Sequence, residues 1–259
     1  MHPHALLRLL IAPLTVLLVG CTAPREPAPM MQAVELGDME SIDQNIENGV
    51  DVNASNRFGW TPLLVAVRYG QVEIVDRLIE LGADVSATND TGEGVLYWAI
   101  STDSPSMADR LVEAGADPNR PDGAGWTPLY WCVRMGRIAM AGTLIEAGAN
   151  PNQTMEKDRT ALHYAAEKGA IEMATVLIAG GANINAGGAL GGTPLHWAAL
   201  QGDVEMARLL VESGADINAG HETGNTPLDL AINQGRGDVA RYLEESGASI
   251  ASSIPRNAG

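Results

Sequence analysis

Aromatic residues are scarce in this chain of 259 residues: they make up 4% of it, and phenylalanine occurs once. A buried core must therefore be assembled from Leu, Ile, Val, Ala and Met on short helices. Basic residues are also few, 16 Lys and Arg against 32 Asp and Glu, for a formal charge of −16 at pH 7. That balance argues against non-specific nucleic-acid binding, which needs a basic footprint, and reports mainly on solubility. The sequence contains no His-Glu-x-x-His, no closely spaced cysteine pair and no Gly-x-Ser-x-Gly, the arrangements that would signal zinc, redox or acyl-transfer chemistry. No catalytic residue, metal site or cofactor is predicted. The one long apolar run, Leu9 to Val19, is too short to cross a bilayer as a stable helix.

What is present is repetition. Thr193-Pro194-Leu195-His196-Trp197-Ala198-Ala199 has close copies beginning at Thr61, Thr127, Thr160 and Thr226, and a degenerate one at Gly94. The starts 61, 94, 127, 160, 193 and 226 keep a period of 33 residues without drift. Each unit reads as two helices. Thr caps the first, Pro is tolerated at its first position, and a Gly such as Gly202 ends it. A second helix follows with Val204, Met206, Ala207, Leu209 and Leu210 at helical spacing. Gly214-Ala215-Asp216-Ile217-Asn218 then opens an outward loop, and Gly82-Ala83-Asp84, Gly115-Ala116-Asp117, Gly148-Ala149-Asn150 and Gly181-Ala182-Asn183 repeat the layout. The Asp or Asn of each is predicted to bind turn N–H groups rather than calcium. Cys132 falls where the other copies place Ala66, Ala99, Ala165 and Ala198, so it reads as a small core residue, and no disulfide with Cys21 is predicted.

A 33-residue period carrying Thr-Pro-Leu-His-x-Ala resembles the ankyrin repeat family. The resemblance implies an all-α solenoid of helix-turn-helix units joined by β-hairpin loops, about seven repeats in residues 28–259. The units would be 28–60, 61–93, 94–126, 127–159, 160–192, 193–225 and 226–258, the first being a divergent end unit. It also implies that His163 and His196 serve structural hydrogen bonds near the turn, and that Trp98, Trp131, Tyr164 and Trp197 are framework residues in the core. The unit at 94–126 departs most, losing Thr-Pro and replacing the helix-ending Gly with Asp103, which predicts either a looser unit or one reshaped for a partner. Gly187-Gly188-Ala189-Leu190-Gly191-Gly192 follows no buried strand, fails as a phosphate loop and is read as a flexible finger.

Residues 1–20 look like a secretory signal ending in Leu18-Val19-Gly20-Cys21, which resembles the lipobox of bacterial lipoproteins and makes Cys21 the expected site of lipid attachment. Thr22 after the cysteine implies sorting to the outer membrane of a Gram-negative cell, with the protein on its periplasmic side. Residues 21–27 and the prolines Pro24, Pro27 and Pro29 form an extended tether, lifting the array roughly 20–25 Å from the lipid.

In the ankyrin family the loop tips and one face of the first helices form a concave surface that binds proteins. Carried onto this chain, it offers Arg57, Phe58, Trp60, Arg68, Tyr69, Glu93, Trp126, Arg134, Met135, Arg159 and Lys168. The wider mapped face, which also takes in Asp90, Glu156, Lys157, Glu167 and Glu222, carries six basic and five acidic residues, so the acid excess lies elsewhere and a basic partner is not required. Aromatic residues and arginines, the types enriched in binding hot spots, gather in its N-terminal half. The expected function is a lipid-anchored envelope protein that binds another protein, with no nucleic acid and no small-molecule substrate. Two sharper versions are an immunity-type protein neutralising a periplasmic toxic effector and a scaffold for a periplasmic stress-defence enzyme. An enzyme or small-ligand protein, the third class, would need polar residues converging in a pocket, and the sequence points to none.

Overall fold

The computed structural model describes residues 29–251. The predicted signal, Cys21 and the tether up to residue 28 lie outside them. Within them the chain forms fourteen α-helices in seven consecutive pairs. The first are α1 (Met30–Leu36) with α2 (Met39–Glu47), α3 (Pro62–Arg68) with α4 (Val72–Glu80), and α5 (Val95–Ser101) with α6 (Pro105–Glu113). Then come α7 (Pro128–Met135) with α8 (Ile138–Glu146), and α9 (Ala161–Lys168) with α10 (Ile171–Ala179). The series closes with α11 (Pro194–Gln201) and α12 (Val204–Glu212), and α13 (Pro227–Asn233) and α14 (Gly237–Glu245).

The local chemistry explains each boundary. Thr61, Thr127 and Thr226 cap α3, α7 and α13, their side chains accepting the backbone N–H of Leu64, Tyr130 and Asp229 at 3.3 Å, with proline next in line at the first helical position. At α9 and α11 a histidine completes the cap. Thr160 N–H donates to His163 Nδ1 at 3.0 Å and Thr193 N–H to His196 Nδ1 at 3.1 Å. With Nδ1 accepting, Nε2 carries the proton and donates to a carbonyl of the next loop, Gly192 at 3.0 Å and Asn225 at 3.3 Å. Each ring thus ties its own helix start to the next unit. Asp229 provides the same cap for α13, its carboxylate accepting Thr226 N–H at 2.8 Å.

First helices stack on first helices from α1 to α13, and α6, α8, α10, α12 and α14 form a parallel second layer. One continuous apolar cluster runs between the layers from Met30 to Leu243. Its closest approach is built on small side chains: Ala66, Ala99, Cys132, Ala165, Ala198 and Ala231 are all fully buried. Around them Leu63, Leu78, Met107, Leu111, Met140, Leu144 and Leu177 fill the space between helices, each such side chain contributing about 1.5–3 kcal/mol by leaving water. Because every unit buries its face only on its neighbours, the stack needs no long-range closure.

The loops depart from expectation. No strand forms among the described residues, where the sole β-type pairing is an isolated antiparallel bridge between Thr88 and Gly94. The connections are turns, held by side chains. Asp51, Asp84, Asp117, Asn150, Asn183 and Asp216 accept the N–H two residues on at 2.8–3.0 Å, as predicted for the turn. A second series was not foreseen. Asn53, Asn119, Asn152 and Asn185 each donate an amide N–H to the Gly carbonyl of the next loop and accept the N–H two residues beyond it. This asparagine ladder fixes the spacing of successive loops. It is broken once, at Ser86.

Two further expectations are corrected. The unit at 94–126 is not loose: α5 and α6 match their counterparts in length, and Asp103 adopts the left-handed φ of 55° that Gly takes at the equivalent turns. Its carboxylate accepts from Arg137 Nη1 at 3.0 Å, which anchors it to the next unit. The glycine stretch at 187–192 is no free finger either. Gly188 N–H donates to Gly192 O at 2.9 Å and Gly191 N–H to Gly188 O at 2.8 Å. Gly188 is buried, and a Cβ there would lie 3.2 Å from His163 Nε2.

Candidate functional site

The first helices and the loop ends share one side of the stack, where the aromatic residues meet. Trp60, at the start of α3, packs its ring 4.8 Å from that of Trp98 on α5. Trp98 touches Tyr97 edge-on at 5.0 Å, and Tyr97 touches Trp131 on α7 at 5.0 Å and 82°. Tyr130 follows, 5.5 Å from Trp131, with Trp126 stacked on it at 4.2 Å and 18°, and Tyr164 of α9 4.7 Å away. An unbroken row of rings thus crosses four units. Edge-to-face pairs at these separations each add about 0.5–1.5 kcal/mol beyond area burial.

Arginines stand over the row. The Arg68 guanidinium lies 4.9 Å from the Trp60 centroid and 5.1 Å from Trp98, and Arg134 lies 5.2 Å from Trp131. Arg57 covers the exposed Phe58 ring at 4.6 Å. Arg159 is held between Tyr164, at 3.9 Å, and Trp197, at 4.2 Å. Their electrostatic surroundings divide them. Arg77 and Arg110 on the second helices, and Arg137 just before α8, pair with Asp43, Asp76 and Asp103 of the preceding unit at 2.6–3.0 Å. Arg57, Arg68 and Arg134 have no carboxylate within ion-pair distance among the described residues.

Titratable groups near the row are tuned by burial. The Tyr97 hydroxyl is pushed up by desolvation and then by the neighbouring Glu93 carboxylate, and Tyr164 is pushed up by desolvation against the opposing pull of Arg159. Burial holds His163 at about 4 and lowers His196. It raises the Cys132 thiol far above its usual range, so that buried sulfur is chemically quiet. Among the described residues no group of His, Cys, Asp and Glu gathers as a metal site would.

A family model described as ankyrin repeats (3 copies) matches residues 30–122, 121–188 and 162–253. This chain is an ankyrin-repeat protein. The crystal structure of the ankyrin repeat domain of Bcl-3, described as a unique member of the IkappaB protein family, is similar to it, with 27% identity and a TM-score of 0.77 over 83% of this chain and 98% of that one. No curated protein matches the sequence. No helix among the described residues is long and apolar enough to cross a membrane.

In this ankyrin array the mapped residues do not behave alike. Phe58 and Tyr69 are 53% and 56% exposed, and Arg57, Arg68 and Arg134 are exposed beside them. Trp60 and Met135 are half-buried against the core, so they support the face as well as front it. Trp126 is half-buried too, held against Tyr130. Glu93 accepts a 2.7 Å hydrogen bond from Asn89, and Lys168 donates to the Arg134 carbonyl at 3.3 Å. Arg159 is withdrawn from the face: its side chain is 11% exposed and ion-paired with Glu167. The expected core aromatics, Trp98, Trp131, Tyr164 and Trp197, are half-buried; the first three lie in the same row as the mapped residues, and Trp197 meets its end through Arg159. Sequence reasoning separated the two sets because they stand at different places in the repeat. Tyr97 and Tyr130, which link the row, went unnoticed although Leu-Tyr-Trp recurs at 96–98 and 129–131.

Proposed function

We propose that this ankyrin protein is anchored by lipid at Cys21 on the periplasmic side of the outer membrane and docks a partner protein on the first-helix face between Phe58 and Arg134. The observation that carries the docking reading is the set of unpaired arginines, Arg57, Arg68 and Arg134, seated on aromatic rings. In a chain with twice as many acids as bases, a carboxylate for each was readily to hand. Stacking on a ring orients the guanidinium and leaves N–H groups to meet a carboxylate: all of them at Arg57 and Arg68, and at Arg134 those other than the Nη1 that donates to the Tyr130 hydroxyl at 3.0 Å. The partner therefore presents acidic side chains flanked by apolar ones. Preformed helices spare much of the entropy that ordering a loop would cost on binding. The lipid anchor rests on Leu18-Val19-Gly20-Cys21, and Thr22 supports outer-membrane sorting.

A photo-crosslinking residue at Tyr69 or Phe58 is expected to capture one protein species in living cells, and Arg68→Glu to abolish that capture. The same residue at Asp109 or Glu172, on the second helices, is expected to capture none. Equal capture from both sides would show that the face is misassigned. A metabolically incorporated fatty-acid label should vanish in Cys21→Ser; its persistence would remove the anchor.

A further inference from the structure

The broken rung of the asparagine ladder coincides with a cleft. At Asn152 the side-chain amide donates to Gly181 O at 2.9 Å and accepts from Asn183 N–H at 2.6 Å. Asn119 makes the same two contacts, to Gly148 O at 3.1 Å and from Asn150 N–H at 2.6 Å. Ser86 stands at that position in its own unit, but its hydroxyl turns back to Asp84 Oδ1 at 2.7 Å. Gly115 O and Asp117 N–H, the groups an asparagine at 86 would engage, receive no such amide. A cleft of about 80 Å³ lies there, bordered by Ser86, Gly115 and Asp117. Val85, Trp126 and Trp131 are among its other walls. The Arg120 guanidinium donates to Ser86 O at its edge, and Asp122 is fixed by Trp131 Nε1 at 2.9 Å.

An acceptor and a donor, placed to serve one planar amide, thus open onto apolar and aromatic walls. We propose that this cleft binds a primary carboxamide carried on a planar ring. The amide takes the place of the missing asparagine side chain, donating to Gly115 O and accepting from Asp117 N–H, while the ring lies among the tryptophans. A carboxylate of the same shape is disfavoured: it has no N–H for Gly115 O, and in the cleft wall the two carboxylates of Asp117 and Asp122 outnumber the one Arg120 guanidinium, which is engaged by Ser86 O. The proposal does not rest on whether a protein docks on the first-helix face, although Trp126 and Trp131 belong to both.

The test is titration of the isotope-labelled full-length chain with benzamide, followed by amide and indole NMR signals. Gly115, Asp117, Trp126 and Trp131 are expected to shift with benzamide and to stay still with benzoate. N-acetylasparagine methylamide, which carries the amide without a ring, should bind at least about tenfold more weakly. Ser86→Asn, which restores the rung found at its sister positions, should keep the fold, raise the melting temperature and weaken benzamide by about tenfold or more, the worth of one or two hydrogen bonds lost to competition. Ser86→Ala, which leaves the gap open, should bind as the native chain does. Absence of shifts with benzamide, equal shifts with benzoate, tighter binding of the asparagine derivative, or undiminished binding by Ser86→Asn would each overturn the proposal.

Discussion

Lowering the pH should loosen the middle of the array through His163. The ring is buried, accepts Thr160 N–H at Nδ1 and donates from Nε2 to Gly192 O, so protonation would place a second N–H against a donor. Burial is the main reason that its pKa is held at about 4, against 6.5 in an unfolded chain. The folded pKa is the lower one, so below 6.5 the unfolded state takes up the proton first. The contribution is fully present above that pH and is lost as pH falls towards 4. Linkage gives about 2 kcal/mol lost at pH 5 and about 3 kcal/mol near pH 4. Other groups act over the same range, since carboxylate repulsion eases as the chain nears its isoelectric point of about 4.6. A difference measurement isolates the ring. His163→Leu puts at this helix the residue that α3 carries as Leu64, and it should be less stable at pH 7 by about 2–4 kcal/mol for the two orphaned backbone groups. The gap between native and variant, read by urea denaturation at pH 7, 6 and 5, should narrow by about 2 kcal/mol at the lowest pH. A gap that stays constant would refute the reasoning, because it would mean that the buried ring does not resist protonation.

Three other outcomes follow from contacts described above. Gly92→Ala should cost well over the ~1 kcal/mol expected of Gly70→Ala, since both have positive φ but only the Cβ at Gly92 would meet backbone, 2.3 Å from Gly123 N; thermal melts of the pair decide it. Cys132 should resist a thiol reagent in the native chain and react at the rate of local opening, faster in His163→Leu than in the native protein. Trp60→Ala should destabilise by about 2–3 kcal/mol, roughly half to two thirds of the cost for a fully buried tryptophan, and reduce the fluorescence coupling of Trp98 as its 4.8 Å neighbour is removed.

A feature of this fold is legible in the sequence when the residues that set it lie close together along the chain. Helix starts at Thr61 and Thr127, the stop at Gly202 and the small core position shared by Ala66 and Cys132 depend on residues within one unit or on simple repetition of it. They could be read directly, because each cap, stop and apolar stripe is a local preference repeated in register. The caps on His163 and His196 followed from the family resemblance, yet their second bond, to the next loop, needed coordinates.

What the tertiary structure alone decided lies between units. Arg77 reaches Asp43, Arg110 reaches Asp76 and Arg137 reaches Asp103, each 34 residues back rather than 33, so the partner stands one place off the strict repeat. Packing paired these arginines with acids and left Arg57, Arg68 and Arg134 on rings. It also withdrew Arg159 behind Glu167 and joined Trp60 to Trp131 through Trp98 and Tyr97. The composition shows how many charges the chain carries, while only the packing of one unit on the next determines which of them are neutralised. Likewise Ser86 is unremarked as a letter in the sequence; it becomes a cleft only when the loops on either side are seen to be bridged by asparagine and this one is not.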